Sequence, residues 1–280
     1  WSTGGSLNTA RHSLAGAGTS TAALGFGGDT PPVSALTESY DGTSWTEVND
    51  LNQARGALAG AGTQTSAIAA GGSTNPAVPT NVTSNETWNG TSWTEEGDLN
   101  TARSMLAGAG TNSESALVFG GNDPGGTRLA ITESWNGSAW TEVADLNTGR
   151  RQLAGIGTST SALAFGGETP AVAAVVALTE SWNGTSWTEL NDLNTARLGL
   201  AGAGADNTLA LAFGGQSPTV TAVTEDWDGV SWTEVADLST ARYALGGIGT
   251  QTAALAFGGL APAATTATEE WSSSSNVIKV

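Results

Sequence analysis

The chain has 280 residues, only 12% of them charged, with 26 acidic against 9 basic side chains and a formal net charge of −17. Nucleic acid and anionic membrane surfaces are held by clustered Lys and Arg, so neither is expected as a partner. The absence of cysteine removes disulfides, thiolate metal sites and a cysteine nucleophile, and no apolar run approaches the roughly 18 residues of a membrane span.

The opening WSTGGSLNTAR has neither a basic segment nor an apolar core, so it does not read as a signal peptide. It also lacks an initiating methionine, which reads as a chain taken from a longer one. Trp1 precedes Leu7 by the same interval that separates Trp232 from Leu238, so the chain is expected to open inside a strand.

From there one pattern repeats. LNTAR and its variants place arginine at Arg11, Arg55, Arg103, Arg150, Arg197 and Arg242, a mean beat of about 46 residues. A double glycine keeps the same beat, beginning at Gly27, Gly71, Gly120, Gly166, Gly214 and Gly258. The six units fill the chain, so the whole protein is the repeat and reads as one domain, 1–280.

Each unit predicts four short strands. They are R-x-x-LAGAGT (as in Arg103–Thr111), SALAFGG (Ser161–Gly167), LTESW (178–182) and SWTEV (231–235). Aromatic and β-branched residues at these lengths, bounded by Gly, Asn and Pro, favour strand. Glycine recurs too often for a helix, and no unit carries helical apolar spacing.

Between the third and fourth strands runs a cassette such as Trp182-Asn183-Gly184-Thr185-Ser186-Trp187. A two-residue turn at Asn183-Gly184 would set Trp182 opposite Thr185, whereas a four-residue loop would set it opposite Trp187. Either register puts both indoles on one face, which another sheet must cover. The first strand, LAGAG, is all small residues, as expected where strands crowd around an axis. Small residues inside and large ones outside make a wedge, and six wedges make a ring.

The predicted fold is therefore all-β: a six-bladed β-propeller of four-stranded antiparallel blades, closed by pairing of the chain termini. Two segments compete to supply the last outer strand. Residues 1–7 are favoured over the tail NVIKV (276–280).

An arginine, a double glycine ending the second strand, and an aromatic and a tryptophan flanking a turn, in that order in every unit, resemble the kelch repeat of β-propellers. That family usually has tyrosine where five units here have Trp88, Trp135, Trp182, Trp227 and Trp271; only Tyr40 matches. The low-charge WNGTSWTE type of repeat also resembles repeats in phage virion proteins. This resemblance implies a tail or host-attachment role, with a virion or extracellular location.

The repeated arginines are matched by Glu38, Glu86, Glu133, Glu180, Glu225 and Glu269, one before each first aromatic residue of the cassette, and by Asp50, Asp98, Asp145, Asp192 and Asp237 before LNTAR. An Arg, a Glu and a Trp on every blade could hold a sugar. Their presence in every unit favours a scaffold role instead, with each Arg paired to a carboxylate. Asn81, Asn85, Asn89, Asn136 and Asn183 match the glycosylation pattern, but three of these are the hairpin turn itself. His12 is the sole histidine, which leaves no His-based metal site and no usual general base; no cofactor is expected.

Recognition is expected where the repeat breaks. The segments between second and third strands vary, and so do the two positions after each arginine; both sets fall at one end of the ring. Candidate contacts there are His12, Asp123, Arg128, Arg151, Gln152, Glu168 and Tyr243. The functional expectation is a non-catalytic module, monomeric as a domain, that presents loops to a glycan or a protein surface. Two alternatives stay open: a glycosidase or lyase using paired carboxylates such as Asp123 and Glu168, and a protein–protein scaffold.

Overall fold

Strand breaks in this chain follow from backbone conformations that only a few residues tolerate. The computed structural model describes residues 1–75, 80–170 and 174–273. In blade 4 the strands are Ala154–Gly157, Ala162–Phe165, Thr179–Trp182 and Trp187–Glu189, paired in sequence order and antiparallel. Among the described residues there are six such four-stranded sheets, arranged as the predicted propeller.

The strands are shorter than the sequence suggests. The blade 3 inner strand is Ala107–Asn112 and does not begin at Arg103, because Met105 sits in the left-handed region at φ 56° and interrupts extension. The second strand of blade 4 stops at Phe165, because Gly166 and Gly167 both have positive φ.

The hairpin cassette adopts the four-residue loop: Trp182 pairs directly with Trp187. Asn183 shapes it, its Oδ1 accepting the backbone N–H of Thr185 and Ser186, both at 3.0 Å.

The ring closes through the N-terminus. Ser2–Thr3 pairs with Thr268–Ser272, so blade 6 takes its outer strand from the start of the chain. Trp1 stacks at 5.5 Å from Trp271, as Trp182 stacks at 5.4 Å from Trp187. Residues 276–280 lie outside the described part of the chain.

Blades are joined by a repeated contact. A phenylalanine ending the second strand meets the outer-strand tryptophan of the next blade, as Phe119 meets Trp187 with ring centroids 4.8 Å apart. Each buried indole contributes roughly 4–6 kcal/mol of hydrophobic stabilisation as an upper bound. The indole N–H is satisfied across the same seam, by the threonine that begins the third strand of the preceding blade. Trp45–Thr268, Trp93–Thr37, Trp187–Thr132, Trp232–Thr179 and Trp1–Thr224 all span 3.0–3.1 Å.

Candidate functional site

The repeated charged residues are inside. Arg11 is fully buried; its Nη2 donates to Glu38 Oε1 at 2.8 Å, and its Nη1 donates to the carbonyls of Gly27 and Leu36. Glu38 Oε2 accepts the backbone and side-chain N–H of Asn8. All six Arg–Glu pairs recur at 2.8–3.1 Å. Each guanidinium thus ties the connector entering a blade to that blade's second and third strands. Burial lowers the pKa of all six arginines, and the partner glutamates oppose that. Neither these guanidinium groups nor the cassette tryptophans of the inner seams are open to a sugar ring.

The recurring aspartates serve the same end. Asp50, Asp145, Asp192 and Asp237 accept the backbone N–H of the threonine that opens the third strand.

The blades differ at the end of the ring where the connectors enter. Here the residue after each arginine bridges the residue after the double glycine, which bridges one more in the following loop. In blades 1 to 4 the bridging sets are His12, Asp29 and Val33; Gly56, Ser73 and Asn81; Ser104, Asn122 and Arg128 with its neighbour loop; and Arg151, Glu168 and Val175. In blades 5 and 6 they are Leu198, Gln216 and Val220, and Tyr243, Leu260 and Ala264. The same backbone bridge therefore carries ionisable and amide groups over four blades and mainly apolar groups over two.

Inside these bridges lies a narrower circle. Ser13, Ala57, Met105, Gln152 and Ala244 have φ between 52° and 56°, and Gly199 completes the set at 60°. Each donates its N–H to the carbonyl of its counterpart in the preceding blade, from Ala57 to Ser13 and round to Ser13 to Ala244, at 2.7–2.9 Å. Six hydrogen bonds close head to tail around the channel mouth.

Three of the seven candidate residues meet in one cluster. Glu168 accepts from Arg151 Nε at 3.0 Å and is also bonded by Arg128 Nη2 from the loop of blade 3. Burial pushes the Glu168 carboxyl up, but the hydrogen bonds and charge of the two arginines outweigh it and hold it below its usual value. His12 lies elsewhere, with Nδ1 3.8 Å from Asp29 Oδ2 and 3.1 Å from Ser13 Oγ. Gln152 belongs to the circle at the mouth. Tyr243 stands among the apolar blades, and Asp123 folds its own loop by accepting the Thr127 N–H at 2.8 Å.

Asp29, Gly56 and Asn122 lie in the variable positions at this end of the ring but are not among the seven sequence-predicted contacts. A groove of about 150 Å³ runs from Asp29 past Gly56, Ser104 and Asn122 to Arg151, with Ala57 and Met105 on its inner wall. The available signals were the residue after each double glycine, which differs in all six units, and the residue after each arginine, of which only Gly56 lacks a side chain. Among the described residues no group of three His, Cys, Asp or Glu side chains is placed to hold a metal ion. Compared with protein-family models and with curated proteins, the chain matches none.

Proposed function

We propose that the protein is a non-catalytic recognition module that binds a glycan or a protein surface through the loop face of the ring. The observation carrying this reading is the chemical variety of that face from blade to blade, set on a scaffold whose buried Arg–Glu pairs repeat. The Arg–Glu pairs and all but one of the indole–threonine contacts repeat, while the bridging residues run from His12 and Asp29 through Arg151 and Glu168 to Leu198 and Tyr243. A rigid scaffold with variable loops is the arrangement recognition sites use.

The resemblance of the repeats to kelch units and to repeats of phage virion proteins extends the proposal to a tail or host-attachment component. The glycosidase or lyase alternative is less well supported. A general acid needs a raised pKa, whereas two arginines hold Glu168 ionised, and Asp123 is engaged in its own turn.

The test is binding of the purified chain to arrays of glycans and of cell-surface proteins. An Arg151→Ala/Tyr243→Ala variant is expected to lose saturable binding, while Glu114→Ala, at an exposed turn on the opposite end, keeps it. Equal loss in both variants, or no loss in the first, would overturn the proposal.

A further inference from the structure

The groove over blades 1 to 4 holds buried acceptors that the protein itself does not satisfy. Asp29 is 6% exposed, and its Oδ1 has no hydrogen-bond partner. Asn122, 4% exposed and lining the same groove, has an unpartnered Oδ1 as well. A buried acceptor left without a hydrogen is costly, and more so when it is charged. These two differ from the six arginine Nε atoms that are also unpartnered. Those recur in every blade and lie in the blade interior, whereas Asp29 and Asn122 are particular to two blades and face a cavity.

Gly56 adds an independent sign. It is the only one of the six first positions after the arginine without a side chain. A Cβ there would stand 2.3 Å from Asp29 Oδ1. The carboxylate therefore occupies space that a side chain fills in the other blades.

We propose that Asp29 is the anchor for a lysine side chain of a protein partner, laid along this groove. The inference rests on the loop face being the recognition surface. The chemistry selects a cationic donor. An unpartnered carboxylate oxygen and an amide oxygen both need hydrogens from the ligand. Burial holds the neighbouring His12 imidazole below its usual pKa and pushes the Asp29 carboxyl up, while His12 and a Ser13 hydrogen bond oppose the latter. A cation from the ligand would therefore favour the carboxylate. Ala57 and the Met105 thioether offer an apolar wall for a four-carbon stem, as amphipathic cations use. No aromatic ring lines the groove, so a sugar would lack the flat apolar platform it stacks on. The net charge of −17 draws basic partners over long range. At the far end Arg128 and Arg151 outnumber Glu168, which directs the cationic group of a ligand to the Asp29 end.

Met105 is the single methionine of the chain, so a methionine methyl label gives one resonance inside the groove. The whole chain is titrated with acetyl-Gly-Lys-Gly-amide, with the same peptide acetylated on the lysine nitrogen, and with a glucosamine tetramer. A saturable shift with the lysine peptide alone is expected. Asp29→Asn should weaken it about tenfold or more, the loss of a charge-assisted hydrogen bond. Gly56→Ala should also weaken it by crowding the carboxylate, while Glu114→Ala, at the opposite end of the ring, leaves it unchanged.

A response to the acetylated peptide, a shift that survives both Asp29→Asn and Gly56→Ala, or a response to the glucosamine tetramer alone would overturn the proposal. No shift with the lysine peptide, alongside array binding that still depends on Arg151 and Tyr243, would remove the lysine anchor and leave the recognition reading in place. Loss of both would remove both.

Discussion

Trp93 donates its indole N–H to the hydroxyl of Thr37 in the preceding blade at 3.0 Å, and the equivalent Trp140 has no acceptor. The cause is one residue: blade 2 begins its third strand with Asn85 where the other blades have threonine. Asn85 turns its amide to the Gly97 carbonyl and leaves its own Oδ1 unpartnered. Asn85→Thr is expected to stabilise the fold by about 1 kcal/mol, raising the melting temperature by about 2 °C. The converse change, Thr132→Val, should strand Trp187 and cost about 1–3 kcal/mol. An unchanged or lowered melting temperature in Asn85→Thr would contradict this account.

Blade 2 carries a second irregularity with its own compensation. Ala70 replaces the phenylalanine that ends the second strand in the other five blades, and Val118 faces it in the same buried cluster. At the regular seams that facing position is alanine or glycine, such as Ala164 opposite Phe119. Ala70→Phe alone should overpack and cost about 1–3 kcal/mol. Combined with Val118→Ala it should recover most of that loss, a coupling above about 1 kcal/mol in urea unfolding. Simple additivity of the two changes would refute the compensation.

The circle at the channel mouth predicts a contrast between two small residues. A Cβ at Gly199 would meet Ala244 N and Tyr243 Cδ2, both at 3.4 Å, so Gly199→Ala introduces no clash. Its cost is the left-handed backbone alone, about 1 kcal/mol. Ala57→Gly removes the same penalty and should gain about 0.5 kcal/mol after the added chain entropy. Opposite signs in thermal unfolding are the expected result; equal signs would show that the backbone term does not decide.

Tyr40 closes the seam between blades 1 and 6 by donating its phenol to Glu270. Burial, and then this hydrogen bond, push its pKa up to about 12. A phenol that ionises later in the folded than in the unfolded chain stabilises the fold fully below the ordinary tyrosine value of about 10. That contribution is lost as the pH rises through about 12. The chain has two tyrosines, so in Tyr243→Phe the remaining phenolate absorbance reports Tyr40. A midpoint near the ordinary value would rule out the buried contact.

The architecture was legible because its signals are local and repeated six times. Glycine pairs with positive φ, Asn-Gly turns and tryptophan cassettes each state a conformation that neighbours do not override. Tyr40, read as the one match to kelch, proves to have a reason of its own: a phenol reaches Glu270, whereas Trp182 in the regular position reaches the Ser159 carbonyl of its own blade. The candidate site was harder to read. Arg128, Arg151 and Glu168 were found by charge at one end of the ring, but their meeting depends on loops of two blades converging. Asp29 stands at the same position after a glycine pair as Glu168, and nothing in the sequence marks its carboxylate as the one without a partner. Its significance lies in what Gly56 leaves open, and that neighbour is a blade away.

The circle of hydrogen bonds at the mouth also governs what the opening can attract. Residues in the left-handed region commonly point amide protons outward, where they cradle phosphate or carboxylate. Here all six protons run tangentially, each into the preceding blade's carbonyl. The axial opening therefore offers an approaching anion none of these six amide protons.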